Sequence, residues 1–98
     1  SESAAAGQLM GTKIILNELI AYLDMAHMPA GTLSGRSYVI MTYSLCGFAN
    51  FASLGITIAG LRNIAPDREK DILSLAPKSI AAGVLTTLMT GAVAGIIL

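Results

Sequence analysis

The sequence predicts an all-α integral membrane protein. It reads as a re-entrant helical hairpin, one broken transmembrane helix, a short amphipathic helix and a final transmembrane helix. Composition is the first observation behind this. Of 98 residues, 12% are charged and 54% hydrophobic, whereas a soluble domain carries ~25% charged residues. Second, residues 37–61 and 79–98 contain no charge, and each run can supply the ~20 apolar residues of a spanning helix. Third, the middle of residues 37–61 is interrupted by Cys46-Gly47-Phe48-Ala49-Asn50-Phe51-Ala52-Ser53. A plain anchor has no use for an amide, a hydroxyl and nearby glycines at that depth.

Residues 4–10 form a short small-residue stretch ending at Gly11. Residues 14–28 carry a helical apolar pattern of only roughly 22 Å at ~1.5 Å per residue, short of the ~30 Å hydrocarbon core. The two stretches together predict a hairpin over residues 1–28 with its tip near Gly11 and Thr12. Residues 29–35, rich in Pro, Gly, Thr and Ser, read as a loop. The broken helix occupies residues 34–62. Pro66, with Asp67 and Glu69 close behind, marks a helix start, since proline suits the first turn and acids suit the positive dipole end. The predicted amphipathic helix, residues 67–75, turns Ile72, Leu73 and Leu75 inward, and the last span fills residues 79–98. Pro77 separates the two. Gly91 and Gly95 form a small-xxx-small pair, read as packing within the protein rather than as a dimer motif.

Orientation follows from the basic residues. Arg62, Arg68, Lys70 and Lys78 lie on one side of the broken span, and only Arg36 lies in the loop on the other. The excess of Lys and Arg places residues 62–78 in the cytoplasm, and the hairpin then enters from the external face. The chain begins without Met and ends in an apolar run, which reads as a piece of a longer protein.

Several functional classes are excluded. A net charge of zero offers no basic surface for nucleic acid. A lone cysteine, Cys46, allows neither an internal disulfide nor a multi-cysteine metal site. No nucleophile–base pairing, metal-ligand spacing or phosphate loop is present, so no catalytic residue, metal or cofactor is expected. Discontinuous helices with polar groups at the break are, by contrast, how transporters build substrate sites.

Glu18 is the foremost candidate. A carboxylate at bilayer depth costs about 2.5–3.5 kcal/mol on insertion scales, which points to a water-filled site; the alternative is a pairing with Lys13 near the interface. Asn50 and Ser53 share a face of a local helix, and Phe48 before them can stack on a planar ring. Each also has a plain structural reading, as packing or as a hydrogen bond between helices. His27 reads as an interfacial helix end, Asp24 as interfacial and Cys46 as a small packing residue. A small structural membrane protein, held together by Glu18 and Asn50, is the alternative to a transporter. A complete small multidrug transporter fits poorly, because only two full spans are present.

Two groups of residues carry a family resemblance. Gly7-Gln8-Leu9-Met10-Gly11-Thr12-Lys13 with Asn17-Glu18-Leu19-Ile20-Ala21-Tyr22-Leu23-Asp24 resembles the second re-entrant hairpin of concentrative nucleoside transporters. Leu33-Ser34-Gly35-Arg36-Ser37, with Cys46-Gly47-Phe48-Ala49-Asn50-Phe51, is similar to the discontinuous helix that follows, and Ala65-Pro66-Asp67-Arg68 resembles the entry to the last helix. Leu19 and Gly35 depart from a common Phe and Pro, Ala52 stands where some members have Ser, and Pro77 where a helix-friendly residue is usual. The resemblance implies the C-terminal part of a nucleoside:cation symporter, residues 1–98 belonging to its transport domain. It implies that Glu18 accepts hydrogen bonds from ribose hydroxyls and that Phe48, Asn50 and Ser53 line the ribose side. It further implies a coupling ion, sodium or proton, bound mainly by segments outside this chain, base contacts made there too, and a homotrimer in the cytoplasmic (inner or plasma) membrane.

Overall fold

The computed structural model describes residues 1–98, all of them helical or in short connections. Five α-helices follow one another: α1 Glu2–Ile15, α2 Glu18–Ala26, α3 Gly35–Ser44, α4 Phe51–Ile64 and α5 Glu69–Ile97, with a 3₁₀ turn Pro66–Arg68 leading into α5.

The hairpin is α1 and α2, folded back on each other through Leu9, Ala21 and Met25. Its tip is Leu16 and Asn17, not Gly11 and Thr12. Helix α1 runs straight through Gly11, and Thr12 Oγ1 donates to Gln8 O (3.0 Å) within the helix. One glycine costs a helix only ~1 kcal/mol relative to alanine, too little to end it. The break comes where Asn17 turns extended (φ −167°, ψ 170°) and its side chain accepts from Ile20 N at 3.0 Å. Asparagine is a preferred N-cap because its side-chain oxygen satisfies an orphan N–H of the first turn.

Residues 27–34 turn the chain. Thr32 N donates to Pro29 O (3.1 Å), with Gly31 at φ 89°, a positive φ that glycine takes without strain. Ser34 caps α3 by accepting from Ser37 N (3.2 Å). Glu2 Oε1 accepts from Ser34 N, which ties the start of α1 to the start of α3. That bond, made first by the backbone N–H and then by the Ser34 and Ser37 hydroxyls, holds the Glu2 carboxyl below its usual range.

The broken span is present as expected: α3, an unwound linker and α4. Asn50 starts α4 as Asn17 starts α2, its side chain accepting from Ser53 N at 2.7 Å. Gly55 lies inside α4 with open space beside it, so Gly47 alone of the two glycines belongs to the break.

Helix α5 lies antiparallel to both halves of the broken span. Arg36 donates to Gly95 O (2.6 Å), Ile40 packs on Gly95 and Gly91, Ser44 on Gly91, and Ala49 on Gly83. A Cβ on Gly91 would fall 3.1 Å from Ile40 O and collide with Ser44 Oγ. These glycines therefore serve packing inside the chain. Arg36 also supplies a cation to the negative end of the α5 dipole.

Two expectations for this region are corrected. Pro77 does not divide it: Pro66–Ile97 is one helical stretch of 32 residues with a mean hydropathy of 2.0 over its most apolar window. Pro77 removes only the N–H that would reach Leu73 O, and α5 continues through it as one helix. Nor is residues 67–75 an amphipathic helix with three residues inward. Leu73 and Leu75 are exposed, and Ala76 is the buried residue.

The molecule has little interior of its own. Leu9, Ala21, Met25, Met41 and Leu45 form its core, while Ile56, Ile64, Leu85, Ile96 and many other large apolar residues are exposed. Its surface of 6305 Å² exceeds the roughly 5,300 Å² expected of a soluble monomer of this mass. Apolar surface on that scale suits lipid or further protein.

Candidate functional site

Thr87, which faces the linker, is roughly 15 Å from the end of α5 at ~1.5 Å per residue. The 51 Å length of the molecule is that of α5 with its leading turn. Residues 1–2, 27–36 and 95–98 gather at one end, and the α4–α5 corner with the Arg62–Glu69 (3.1 Å) and Arg68–Asp71 (2.6 Å) ion pairs forms the other.

Glu18 opens α2 directly after its cap, at the positive end of that half-helix. Its carboxylate makes no hydrogen bond within the chain, and Oε2 is buried without a partner. Buried polar atoms are nearly always paired, so this oxygen is the outstanding unsatisfied group of the molecule. The alternative pairing with Lys13 is not made. Lys13, wholly buried, donates instead to Thr87 Oγ1 (2.9 Å) and Ser44 O (3.3 Å).

Phe48 is 79% exposed at the linker, its ring free on the surface. Asn50 is wholly enclosed. Its Oδ1 caps α4 and its Nδ2 donates to Phe48 O at 3.2 Å. Its amide thus shapes the break from within instead of standing open. Ser53, half-buried, gives its N–H to that cap, and its hydroxyl makes no hydrogen bond within the chain. The structure therefore brings Phe48, Asn50 and Ser53 together at the start of α4. Lys13 lies between this region and Glu18: its Nζ is 3.6 Å from where a Gly47 Cβ would stand, and the Glu18 charge is within Coulombic reach.

Other candidates are placed more plainly. His27 is exposed at the end of α2, its Nδ1 2.7 Å from Leu23 O. Asp24 is exposed. Cys46 is exposed in the linker, not packed as expected. No cluster of His, Cys, Asp and Glu has metal-binding geometry.

Three contributors escaped the sequence reading. Asn17 as a cap was legible, since Asn before Glu and an apolar run is a helix-start signal. Lys13 left a weaker trace, as the only Lys or Arg before Arg36. Thr87 left none.

With this geometry in view, comparison with known proteins gives a consistent result. The family model described as "Na+ dependent nucleoside transporter C-terminus" matches residues 1–95. The chain is 38% identical, over 97% of its length, to the putative nucleoside permease NupX of Escherichia coli, of which it covers 23%. It is 41% identical, over 98% of its length, to solute carrier family 28 member 3 of Mus musculus, of which it covers 16%. It superposes on CNTnw in an inward-facing substrate-bound state with a TM-score of 0.86 and 37% identity, covering 97% of this chain and 24% of that one. These relatives are transporters and a permease by name, not enzymes, and the chain spans about a quarter or less of their length. Family match, identity and fold agree: the chain belongs to the Na+-dependent nucleoside transporter family, and it corresponds to the C-terminal part of its members.

Proposed function

We propose that this chain supplies the ribose side of the substrate site in a transporter that takes up nucleosides by cation symport. The carrying observation is Glu18: a carboxylate at the N-terminus of a half-helix, with a buried oxygen and no partner in the chain. Two vicinal hydroxyls of a ribose can both donate to one carboxylate, which would satisfy it. Phe48 offers an exposed ring at the same break. Ser53 offers a free hydroxyl, and Asn50 contributes by holding the N-terminus of α4 in place. Capping leaves the Phe51 and Ala52 N–H groups without intrahelical partners, further donors for a polar sugar.

The rest of the proposal concerns the whole transporter. Residues 1–98 form the C-terminal part of its transport domain, with the hairpin in residues 1–28, the discontinuous helix in 34–62 and the last helix in 66–98. The coupling ion, sodium or proton, is held mainly by segments outside this chain, and the name of the matched family favours sodium. The full-length protein is a homotrimer in the cytoplasmic membrane, inner or plasma, with residues 62–78 facing the cytoplasm.

The test is competitive uptake by the full-length transporter with ribose-modified nucleosides. A hydrogen bond to a charged group contributes about 1.5–3 kcal/mol. Glu18→Gln keeps the shape and removes the charge, so it should weaken ribonucleosides by roughly one to three decades at about 1.4 kcal/mol per decade. Analogues lacking the 3′-hydroxyl should lose less, having already given up the contact. Normal transport by Glu18→Gln, or equal losses for both classes, would return Glu18 to a purely structural role.

A further inference from the structure

Lys13 is the one fully buried charge in the molecule, at 0% exposure. Lysine is almost never fully buried unless it is paired, and Lys13 has no ion pair: the only salt bridges are Arg62–Glu69 and Arg68–Asp71. What surrounds it is a built seat. Ser44 O, at 3.3 Å, belongs to the last residue of α3, where helix carbonyls have no intrahelical partner and the dipole is negative. Thr87 Oγ1, at 2.9 Å, comes from the C-terminal half of α5, and that hydroxyl is itself directed by its bond to Val84 O (2.9 Å). Two glycines admit the close approach. A Cβ on Gly47 would stand 2.5 Å from Thr87 Cγ2, and one on Gly91 would collide with Ser44. Helices α1, α3 and α5 therefore converge on one ammonium group, between the hairpin tip and the linker.

We propose that Lys13 is a positioning residue for the substrate site: by pinning the end of α3 to α5 from the end of α1, it fixes the spacing between Glu18 at the hairpin tip and the Phe48–Ser53 surface. Asn17 ends α1 only a turn beyond Lys13, so any movement of the ammonium is passed to Glu18 through the capped start of α2. On the other side, Leu45 follows Ser44 into the linker and is wholly buried, so the pinned carbonyl also sets where Phe48 emerges. The inference rests on the proposed ribose site for its kinetic consequence alone.

The test uses the full-length transporter in proteoliposomes, with Lys13→Met, Thr87→Val and Thr87→Ser. Each is assayed for nucleoside KM, Vmax per reconstituted molecule and preference for a ribonucleoside over its 3′-deoxy analogue. Loss of roughly one charged contact predicts a KM raised about tenfold in Lys13→Met, with Vmax changed far less and the 3′-hydroxyl preference narrowed toward that of Glu18→Gln. Thr87→Val, which keeps the methyl and removes one acceptor, should show the same change at about threefold, because the ammonium retains its second acceptor, Ser44 O. Thr87→Ser should match wild type. A lower yield of Lys13→Met with unchanged KM and preference would mean a merely structural lysine and overturn the proposal. If Lys13→Met is not recovered, identical behaviour of Thr87→Val and Thr87→Ser overturns it.

Failure of the ribose reading has a separate signature, an unaltered 3′-hydroxyl preference in Glu18→Gln. The positioning role is then decided by the reactivity of a cysteine placed at Leu45, which is wholly buried beside the pinned carbonyl, with a small maleimide, in a background where Cys46 and any other cysteine are replaced. About tenfold faster labelling in Lys13→Met or Thr87→Val supports a released linker, given that the open state's population scales as tenfold per 1.4 kcal/mol. An unchanged rate overturns it.

Discussion

Asn17 and Asn50 do the same work at two different breaks: each turns extended, and each accepts a hydrogen bond from the backbone N–H three residues on, at 3.0 Å from Ile20 N and 2.7 Å from Ser53 N. Both half-helices therefore begin with a capped N-terminus, the positive end of the helix dipole. In lipid an unpaired N–H costs several kcal/mol, so a break there needs a residue that carries its own acceptor. Asparagine provides one without a charge.

Losing either cap should be measurable. Replacing an asparagine N-cap with alanine costs about 1 kcal/mol, so Asn17→Ala and Asn50→Ala should each lower the apparent melting temperature of the detergent-solubilised transporter. Asn17→Ser and Asn50→Ser should recover most of the loss. Equal melting of the Ala and Ser variants would show that these side chains do not stabilise the breaks.

The glycines divide into two classes. Gly91→Ala drives a methyl into Ser44 and the Ile40 carbonyl, and Gly47→Ala drives one into Thr87; overpacking of this kind costs about 1–3 kcal/mol. Gly55→Ala points into open space within α4 and should be neutral or gain up to ~1 kcal/mol of helix propensity. Thermal stability of the three variants ranks them, and a destabilised Gly55→Ala with a tolerated Gly91→Ala would contradict the α3–α5 contact.

Topology is open to a direct check. Thr32 sits in the turn at one end of the molecule and Asn63 at the far end of α4. A cysteine at Asn63 should react with impermeant reagents only from the cytoplasmic side, and one at Thr32 only from outside. Labelling of both from the same face is the outcome that rules out a crossing by the broken span.

The Glu2–Ser34 bond carries a pH dependence with a definite sign. Its folded-state carboxyl titrates below the ordinary value of 4.5, chiefly because Ser34 N–H donates to it. The contact should therefore be fully present above that ordinary value, which the unfolded chain keeps, and be lost as pH falls through the lower folded value. Amide exchange at Ser34 should be faster in Glu2→Gln than in wild type at neutral pH, and the two should converge in acid. Because Glu2 is on the surface, the effect is expected at that turn and not in global stability. A difference that persists unchanged in acid would assign the protection to something other than the ionised carboxylate.

The sequence alone determined the class, the two uncharged runs and the break between α3 and α4. Those features follow from composition and from runs of apolar residues, which lipid reads without help from distant parts of the chain. It misplaced the hairpin tip because Gly11 looked like a breaker, whereas the cap at Asn17 decided the matter: a helix ends where its backbone is offered a better partner, not merely where flexibility rises. It divided α5 at Pro77 because one lost hydrogen bond was weighted above the continuous packing that α3 and α4 supply. Only the tertiary structure set Lys13 against Thr87 and Ser44, since nothing local to any of the three residues encodes the meeting. It also enclosed Asn50 and left Glu18 Oε2 unpaired. Burial of that kind is a property of how α1, α3 and α5 converge, and close packing at Gly47 and Gly91 is what allows them to.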